Sequence, residues 1–350
     1  MSFVRGLRLA LLLAVVAGLA ACEGGETAPA AAPTEAPAGW YRLYFTGPTP
    51  DTVAGGIPDE IAAGLDAAQA TIDVAIFEFD LQVIADALIR AQARGVRVRL
   101  VTDTDSLESP VIQDLQTLGI PVVDDRRDPL MHNKFVVIDG RTVWTGSMNF
   151  TESEAYRNNN NVIAIESEAL AENYTREFEE MFTGYAFGPD SPADTPYPRV
   201  TVAGTLVENY FAPEDGAAAH ILEILQSARA SIYFMAFAFT RADFAETLIE
   251  RAGAGVTVQG VFEKRQIEAG ADSAWNALTQ AGLEVRQDGN RYNLHSKVFL
   301  VDQEIVVLGS YNFSQNAEKR NDENVLIIHS AAIARAYGAE WQKVWMTAPR

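Results

Sequence analysis

Two histidine–lysine pairs stand out in this chain of 350 residues, which contains only four histidines. His132 and Lys134 are separated by one residue, and His295 and Lys297 repeat that spacing 163 residues later (295 − 132). An imidazole can attack phosphorus or donate a proton near neutral pH, and an ammonium can neutralise phosphate oxygens. Two such pairs therefore supply the nucleophile, the acid and the positive charge that cleavage of a phosphodiester requires.

The repeat continues beyond each pair with an aspartate and a Gly-Ser-x-Asn segment at the same offset. The matched positions are Asp139 and Asp302, Ser147 and Ser310, and Asn149 and Asn312. The asparagines and serines are candidates for hydrogen bonds to phosphate oxygens, where negative charge builds up. The aspartates fall at predicted hairpin turns, where a carboxylate is favoured for bonding the backbone, so a turn-forming role competes with direct chemistry.

This constellation resembles the HKD motif of the phospholipase D superfamily, present here in two copies. The resemblance implies a phosphodiesterase with a covalent phosphohistidine intermediate, which is hydrolysed or passed to an alcohol. It implies no metal and no cofactor, and it implies that the N-terminal histidine, His132, attacks while His295 donates a proton. We expect structural or surface roles for the other two histidines, His220 and His329, because a lone histidine carries no ligand geometry.

An acidic residue follows the second motif, since Glu323 lies 28 residues after His295 (323 − 295). In single-motif members of the family, an acidic residue at this position hydrogen-bonds the catalytic imidazole. The same offset after His132 gives Asn160 (160 − 132). We therefore predict Glu323 beside His295, favouring its protonated form, and the neutral Asn160 beside His132, leaving that ring available as the nucleophile.

The elements that must position these residues are also repeated. The motifs lie in β-branched runs that turn back as hairpins, so each histidine faces the same way as its lysine. Thr71 to Phe79 corresponds to Ser231 to Phe239 at an offset of 160 (231 − 71). Helices are predicted at Leu81–Arg94 and Asp243–Arg251, and closing helices at about Glu168–Phe182 and Ala331–Trp345.

Alternating strands and helices predict an α/β fold. The resemblance adds two pseudo-twofold-related phospholipase D-like α/β sandwich domains with mixed sheets, whose motifs meet in one cleft. We place the first half at residues 40–186, a proline-containing linker at 187–199 and the second half at 200–350. Because both motifs occur in one chain, a monomer is sufficient to complete the site.

The N-terminus predicts export. Arg5 and Arg8 precede a 13-residue apolar stretch (9–21), which has the layout of a signal peptide at residues 1–21 and is too short to span a bilayer. The single cysteine, Cys22, ends a Leu-Ala-Ala-Cys sequence that resembles a bacterial lipobox. We expect an acylated Cys22 and a flexible Ala/Pro-rich tether (22–39) that hold the protein on an envelope membrane.

The charge of the chain bears on its substrate. The sequence carries 27 basic and 47 acidic residues, a net charge of −20, which becomes −22 without Arg5 and Arg8 (25 − 47). Duplex nucleic acid is an unlikely partner because its binding normally relies on a basic surface. A phospholipid or another small phosphodiester fits better, although lysines in a cleft can still handle a short single strand.

Three functions stay open at this point. The leading hypothesis is hydrolysis of glycerophospholipids, the second a metal-independent envelope nuclease or general phosphodiesterase, and the third a non-catalytic binding lipoprotein. Release of phosphatidic acid, degradation of single-stranded nucleic acid in EDTA, or turnover of neither would distinguish them.

Overall fold

Runs of buried β-branched and aromatic residues form a seven-stranded mixed sheet in the first half of the chain. Its elements are β1 (Tyr41–Phe45), α1 (Ile57–Ala67), β2 (Thr71–Ile76), α2 (Gln82–Ala93), β3 (Arg97–Thr102), α3 (Pro110–Thr117), β4 (Val122–Asp124), β5 (Lys134–Ile138), β6 (Thr142–Gly146), α4 (Glu152–Tyr156), β7 (Asn161–Glu166) and α5 (Glu168–Phe182). The strand order is β1-β7-β6-β5-β2-β3-β4, in which β2, β3 and β4 are parallel and the other neighbours antiparallel.

The second half repeats this plan in an eight-stranded sheet. Its elements are β8 (Arg199–Val202), β9 (Thr205–Ala212), α6 (Ala217–Ser227), β10 (Ser231–Ala236), α7 (Ala242–Gly253), β11 (Thr257–Phe262), α8 (Lys264–Ala269), α9 (Ala274–Gln280), β12 (Glu284–Gln287), β13 (Lys297–Val301), β14 (Ile305–Gly309), α10 (Gln315–Lys319), β15 (Glu323–His329) and α11 (Ala331–Thr347). The order β12-β11-β10-β13-β14-β15-β9-β8 matches the first sheet, with β8 added at one edge.

These elements belong to a computed structural model that describes residues 39–48, 56–270 and 274–349. The predicted signal peptide, the acylated Cys22 and nearly all of the tether lie outside the described residues. No helix in the described part of the chain is long and apolar enough to cross a bilayer. The described residues belong to one compact unit, Ala36–Arg350.

The hydrophobic core has three parts. The outer face of each sheet packs on its own helices, and a central core joins the two inner faces with α5 and α11. Aromatic side chains from both halves meet in the central core, where the Tyr174 ring contacts Phe135 at 5.0 Å and Phe211 at 5.1 Å between centroids. Since this core belongs to both halves, their packing fixes how the two motif strands face each other.

The predicted helices and strands agree with the structure to within a few residues. The helix predicted at Leu81–Arg94 runs over Gln82–Ala93, and the closing helix at Glu168–Phe182 has those bounds. Sequence reasoning missed the short strands β4 and β12 and the five-residue helices α4 and α10. The domain boundaries stay a prediction.

Candidate active site

Each motif histidine is placed by backbone pairing with the opposite half of the chain. The His132 N–H donates to the Asp322 carbonyl at 3.0 Å, and the His295 N–H donates to the Asn159 carbonyl at 2.9 Å. The two acceptors share the offset of the histidines (322 − 159 = 163). The contacts are therefore a reciprocal pair, and each imidazole is held at the boundary between the halves.

Buried tyrosines repeat this reciprocity. The Tyr174 hydroxyl bonds Asn324 Oδ1 at 3.2 Å, and the Tyr337 hydroxyl bonds Asn161 Oδ1 at 3.0 Å. Both tyrosines lie on the closing helices, and both asparagines lie on the strands that follow the motif hairpins. Because hydrogen bonds are stronger where water is excluded, these two bonds stabilise the packing of the two halves against each other beside the histidines.

The structure pairs His132 with a carboxylate from the second half. Its Nδ1 lies 2.7 Å from Glu323 Oε2, and the Glu323 side chain is fully buried. The prediction that Glu323 lies beside His295 is therefore wrong. The reason is the reciprocal pairing: Glu323 follows Asp322, whose carbonyl holds His132, so its side chain reaches the histidine of the other half.

His295 is held by an amide and by a carboxylate that the sequence did not reveal. Its Nδ1 lies 3.1 Å from Asn160 Oδ1 and 3.1 Å from Glu154 Oε2. The prediction of Asn160 beside His132 is thus also wrong, for the same reason. Glu154 lies on the short helix α4, whose five residues give too little periodicity for detection from sequence.

Both motif lysines are buried at the site and bonded alike. Lys134 Nζ donates to the His132 carbonyl at 2.7 Å, and Lys297 Nζ donates to the His295 carbonyl at 2.6 Å. Phenylalanines lie beside them, since Lys134 Nζ is 5.2 Å from the Phe77 ring and Lys297 Nζ 4.8 Å from the Phe237 ring. The apolar rings limit water around the ammoniums, which strengthens their pull on an anion.

The cations of the two halves affect each other's titration. Burial, followed by the charges of Lys134, Lys297 and His295, lowers the pKa of His132 well below its ordinary value. Burial lowers the pKa of Lys134 to about 8, and burial together with the Lys134 charge lowers that of Lys297. The protonated forms of these four groups would repel one another, and a bound anion would relieve that repulsion.

The two carboxylates at the histidines have pKa values shifted in opposite directions. Burial raises the pKa of Glu323 to about 8, against the opposing charge of Lys134 and hydrogen bonds from Ser310 and Asn321. Burial also acts to raise the pKa of Glu154, but the charge and hydrogen bond of His295 outweigh it and bring the value to about 2. Burial lowers the pKa of His295 to about 4 even though Glu154 opposes the shift.

The two motif serines hold the residues that touch the histidines. The Ser147 hydroxyl donates to Asn160 Oδ1 at 2.9 Å, and the Ser310 hydroxyl donates to Glu323 Oε2 at 2.7 Å. Both side chains are fully buried and also accept a backbone N–H. The prediction that they contact phosphate is corrected, because their hydroxyl protons are already committed within the protein.

Each motif asparagine has one unpaired polar atom in the described part of the chain, where Asn149 is buried and Asn312 partly buried. Asn149 Nδ2 donates to Glu78 Oε2 at 3.0 Å. Within the described residues, Oδ1 of Asn149 and Oδ1 of Asn312 have no hydrogen-bond partner. An amide oxygen accepts hydrogen bonds, so these unpaired atoms do not themselves supply the predicted hydrogen bonds to phosphate oxygens, and that role stays a prediction.

The motif aspartates lie away from the histidines, at the far ends of the motif strands. Asp139 follows β5, at the end opposite Lys134, and accepts the N–H groups of residues 69–71 at 2.7–2.9 Å. Asp302 accepts the N–H groups of residues 229–231 at 2.7–2.9 Å. These bonds lower the pKa of both carboxyls, although partial burial acts to raise it. The predicted catalytic role of the two aspartates is therefore corrected in favour of the turn-forming role.

An acidic cavity of about 460 Å³ borders the site on the side of the first half. Its lining includes Glu78, Asp80, Asp105 and Glu154, of which Glu154 contacts His295. At the positions related by the repeat, the second half has Ala238, Thr240, Arg265 and Ala317 in their place. The surroundings of the two histidines are therefore electrostatically unequal.

The two other histidines lie outside this arrangement. The His220 ring stacks on Tyr210 at 3.6 Å between centroids, and His329 Nε2 lies 2.7 Å from Glu208 Oε1. In the described part of the chain, one group of carboxylates could hold a metal ion, namely Glu177, Glu180 and Glu214, whose oxygens lie within 4.8 Å of one another. Acidic groups often cluster without an ion, so this group alone assigns no metal.

The family of the chain follows from its match to a family model. The model for "Cardiolipin synthase, PLD-like domain" matches twice, over residues 61–182 and 221–345, and each match contains one histidine–lysine pair. The chain therefore belongs to the family of phospholipase D-like domains, as its two motifs predict.

Several characterised proteins resemble parts of the chain. It is 33% identical to mitochondrial cardiolipin hydrolase from Xenopus tropicalis over 120 residues, covering 34% of this chain and 57% of that protein. It is 38% identical to phospholipase D from Rickettsia conorii over 129 residues, covering 36% of this chain and 64% of that protein. The chain thus spans about 57–64% of the length of these relatives.

A solved structure supports the fold over most of the chain. Phosphatidylserine synthase from Haemophilus influenzae aligns with a TM-score of 0.64 over 86% of this chain and 85% of that chain, at 14% identity. This likeness concerns the fold alone. The predicted α/β class with two mixed-sheet domains is confirmed by it and by the two sheets.

Proposed function

We propose that this protein is a phospholipase D-type phosphodiesterase that hydrolyses glycerophospholipids through a covalent phosphohistidine intermediate. The observation that carries the proposal is the reciprocal placement of His132 and His295, each with Nδ1 beside a carboxylate from the opposite half. With Nδ1 engaged, Nε2 is the ring nitrogen left for chemistry. The family and its phospholipase-named relatives support this reaction class.

In the first step, His132 Nε2 forms a bond to phosphorus while the bond from phosphorus to the leaving alcohol oxygen breaks. His295 transfers its Nε2 proton to that oxygen, so the alcohol leaves neutral. Lys134 and Lys297 stabilise the charge that builds up on the non-bridging oxygens. In the second step, His295 takes a proton from water, the water oxygen bonds phosphorus, and the phosphorus–nitrogen bond breaks.

The unequal carboxylates support this division of roles. Glu154 has a pKa of about 2 and is therefore ionised, so it favours a protonated His295, as an acid requires. Glu323, whose pKa burial raises to about 8, favours a protonated His132 less strongly, which leaves that ring available as a nucleophile. Burial, followed by the lysine charges, holds the pKa of His295 down, and a bound phosphodiester would offset the lysine charges.

Charge favours a lipid or small diester over nucleic acid. The sequence has a net charge of −20, and the cavity beside the site is lined by carboxylates, which would repel successive phosphates of a strand. The buried lysines supply local positive charge at one phosphorus centre, which is what a single phosphodiester group needs. The alternative, an envelope nuclease, would use the same two histidines and would differ only in its substrate, a nucleic acid strand.

We further propose that the protein is exported and held on a bacterial envelope membrane by an acylated Cys22, which would bring it close to phospholipid. The apolar 9–21 stretch and the single cysteine after it support this localisation. Cys22→Ser should release the protein from the membrane fraction, and membrane retention of that variant would contradict the anchor.

A substrate panel tests the function. A fragment of residues 36–350, the compact unit, should release phosphatidic acid from phospholipid vesicles in EDTA. Degradation of single-stranded DNA or RNA with no lipid turnover would support the nuclease instead. Failure to turn over lipid, nucleic acid and a bis-nitrophenyl phosphate reporter would favour a binding protein and defeat the proposal.

A further inference from the structure

The residues that surround position 323 in the second half recur around position 160 in the first half, but the residues at these two positions differ. We call each set of surrounding residues a frame. In the second half, Glu323 accepts from the Ser310 hydroxyl at 2.7 Å and from Asn321 Nδ2 at 3.2 Å, and it contacts His132. At the related positions the first half has Ser147 and Asn158 (310 − 147 = 163; 321 − 158 = 163), and Ser147 bonds Asn160 in place of a glutamate. The frame around His295 therefore lacks a carboxylate at the position where the frame around His132 has one.

A carboxylate from a different element fills this gap. Glu154 Oε2 lies 3.1 Å from His295 Nδ1 and accepts from Asn160 Nδ2 at 2.5 Å, while Asn160 Oδ1 accepts from Ser147. Asn160 thus links the serine to the carboxylate by both ends of its amide. Together the amide and Glu154 occupy the place that Glu323 fills alone in the other half.

The helix α4 brings Glu154 to this place. The Thr151 hydroxyl caps α4 by accepting the Glu154 N–H at 3.4 Å, which stabilises the first turn from which the Glu154 side chain projects. The residue related by the repeat is Ala317 on α10 (317 − 154 = 163), which has no carboxylate. The side chain is therefore a feature of the first half alone, and it is 95% buried (5% exposed).

We propose that Glu154 is the positioning residue of His295, and that it replaces from helix α4 the carboxylate that position 160 lacks. The inference rests on the proposed function, because it assumes that His295 takes part in the reaction. Glu154 touches the ring nitrogen that does not react, so it acts through the orientation, tautomer and charge of His295.

Several charged groups around His295 change its pKa, and Glu154 acts against the groups that lower it. Burial lowers the pKa of His295, Lys297 on β13 and Lys134 on β5 lower it further, and Glu154 on α4 raises it. Glu78, which follows β2, faces Glu154 and bonds Asn149. Removal of the Glu154 charge leaves His295 facing two lysines, so the ring should lose its proton at lower pH.

Two variants test the proposal. Glu154→Gln, which keeps the shape but removes the charge, should lower the pKa of His295, so that less of the ring is protonated in ring-nitrogen NMR spectra recorded at a fixed pH near 4. It should also slow turnover of alkyl phosphodiesters about 10²-fold or more, with a smaller effect on p-nitrophenyl esters, whose leaving group needs little protonation. The double variant E154A/N160E should restore the His295 pKa and most of the activity, because Ser147 and Asn158 stand at the positions of Ser310 and Asn321, which bond Glu323 in the other half.

The control is Glu318→Gln on α10, a buried carboxylate that accepts from the Tyr311 hydroxyl at 2.9 Å and from the Ala218 N–H at 3.1 Å. It should change thermal stability without changing the pKa of His295. An unchanged His295 pKa in Glu154→Gln, or no recovery in a folded E154A/N160E protein, would overturn the inference. If Glu154→Gln does not fold, Glu154→Asp replaces it and should give a smaller shift in the same direction. Absence of turnover by the wild-type protein would defeat the proposed function and leave the NMR test of Glu154 intact.

Discussion

The two histidines occupy the same backbone frame but different electrostatic surroundings. His132 and His295 are held by matching backbone bonds of 3.0 and 2.9 Å, and each lies beside a matching lysine. The difference lies in the groups at Nδ1: a single carboxylate from β15 for one ring, and an amide with a carboxylate from α4 for the other. The matching contacts bring the two imidazoles to one site, and we propose that the unequal contacts at Nδ1 give them different roles.

The largest effects should come from removing the rings themselves. His132→Ala should lower turnover about 10⁴-fold or more for every phosphodiester, because no nucleophile remains. His295→Ala should cost about 10²–10⁴-fold with alkyl esters and much less in the first step with p-nitrophenyl esters, since only the acid is lost.

These losses are measured as kcat with both ester types. His220→Ala is the matched control, because His220 stacks on Tyr210 and belongs to neither histidine–lysine pair. The turnover of this variant should stay at the wild-type level. If kcat of His132→Ala and kcat of His295→Ala depended equally on the leaving group, the proposal that the two rings have different roles would be contradicted.

Replacement of the carboxylate at His132 should have the next largest effect. In Glu323→Gln the amide can present an N–H to Nδ1, which favours the tautomer with its proton on Nε2 and blocks attack. We expect a loss of about 10²–10⁴-fold in kcat for both ester types. Rapid-quench measurement of the first alcohol released checks this step, and a loss confined to alkyl esters would assign Glu323 to the acid instead.

The lysines predict a pH dependence of binding. Because burial lowers the pKa of Lys134 to about 8, its positive charge is present below that pH and is lost as the pH rises through it. Affinity for dimethyl phosphate, which stays a monoanion, should therefore fall above pH 8 in calorimetric titrations. Lys134→Arg, which keeps its charge, should move this fall to higher pH. Affinity that stays constant up to pH 10 would mean that the ammonium is not held in a buried cationic site.

The smallest effect on catalysis should come from the motif aspartates. Asp139→Ala and Asp302→Ala each remove an acceptor of three backbone N–H groups, which should cost about 1–2 kcal/mol of unfolding free energy after allowance for solvent exposure. Since the folded pKa of each is below its ordinary value of 3.8, this stabilisation is present above that pH and is lost as the pH falls through the folded value.

Urea unfolding at pH 7 and pH 3 measures this difference, and kcat per folded molecule should be unchanged in both variants. A loss of kcat comparable to that of His295→Ala, with unchanged stability, would show that the aspartates take part in catalysis and would contradict the turn-forming role.

Much of the fold could be predicted because the chain repeats it. A fixed offset joins six motif positions, and β-branched runs alternate with amphipathic helices, so the elements of one half support the assignment of the other. The short elements were missed for a physical reason: a three-residue strand such as β4 and a five-residue helix such as α4 complete too few periods to leave a pattern.

The site could be predicted as a set of residues but not as a set of contacts. The spacing identified Glu323 and Asn160, yet it could not say that each side chain reaches the histidine of the opposite half. That exchange depends on the bridges Met131–Asp322 and Asn159–Leu294, which join residues more than 130 positions apart. Glu154 had no counterpart at Ala317, so comparison of the halves could not find it.

The most direct test of the central claim is to locate the phosphoryl group during turnover. A slowly hydrolysed phosphodiester, an alkaline quench and peptide mass spectrometry should show the phosphoryl group on the peptide that contains His132, at a level raised further in His295→Ala with a p-nitrophenyl ester. Modification of His295 instead, or continued turnover with neither histidine modified, would contradict a single site built from unequal halves.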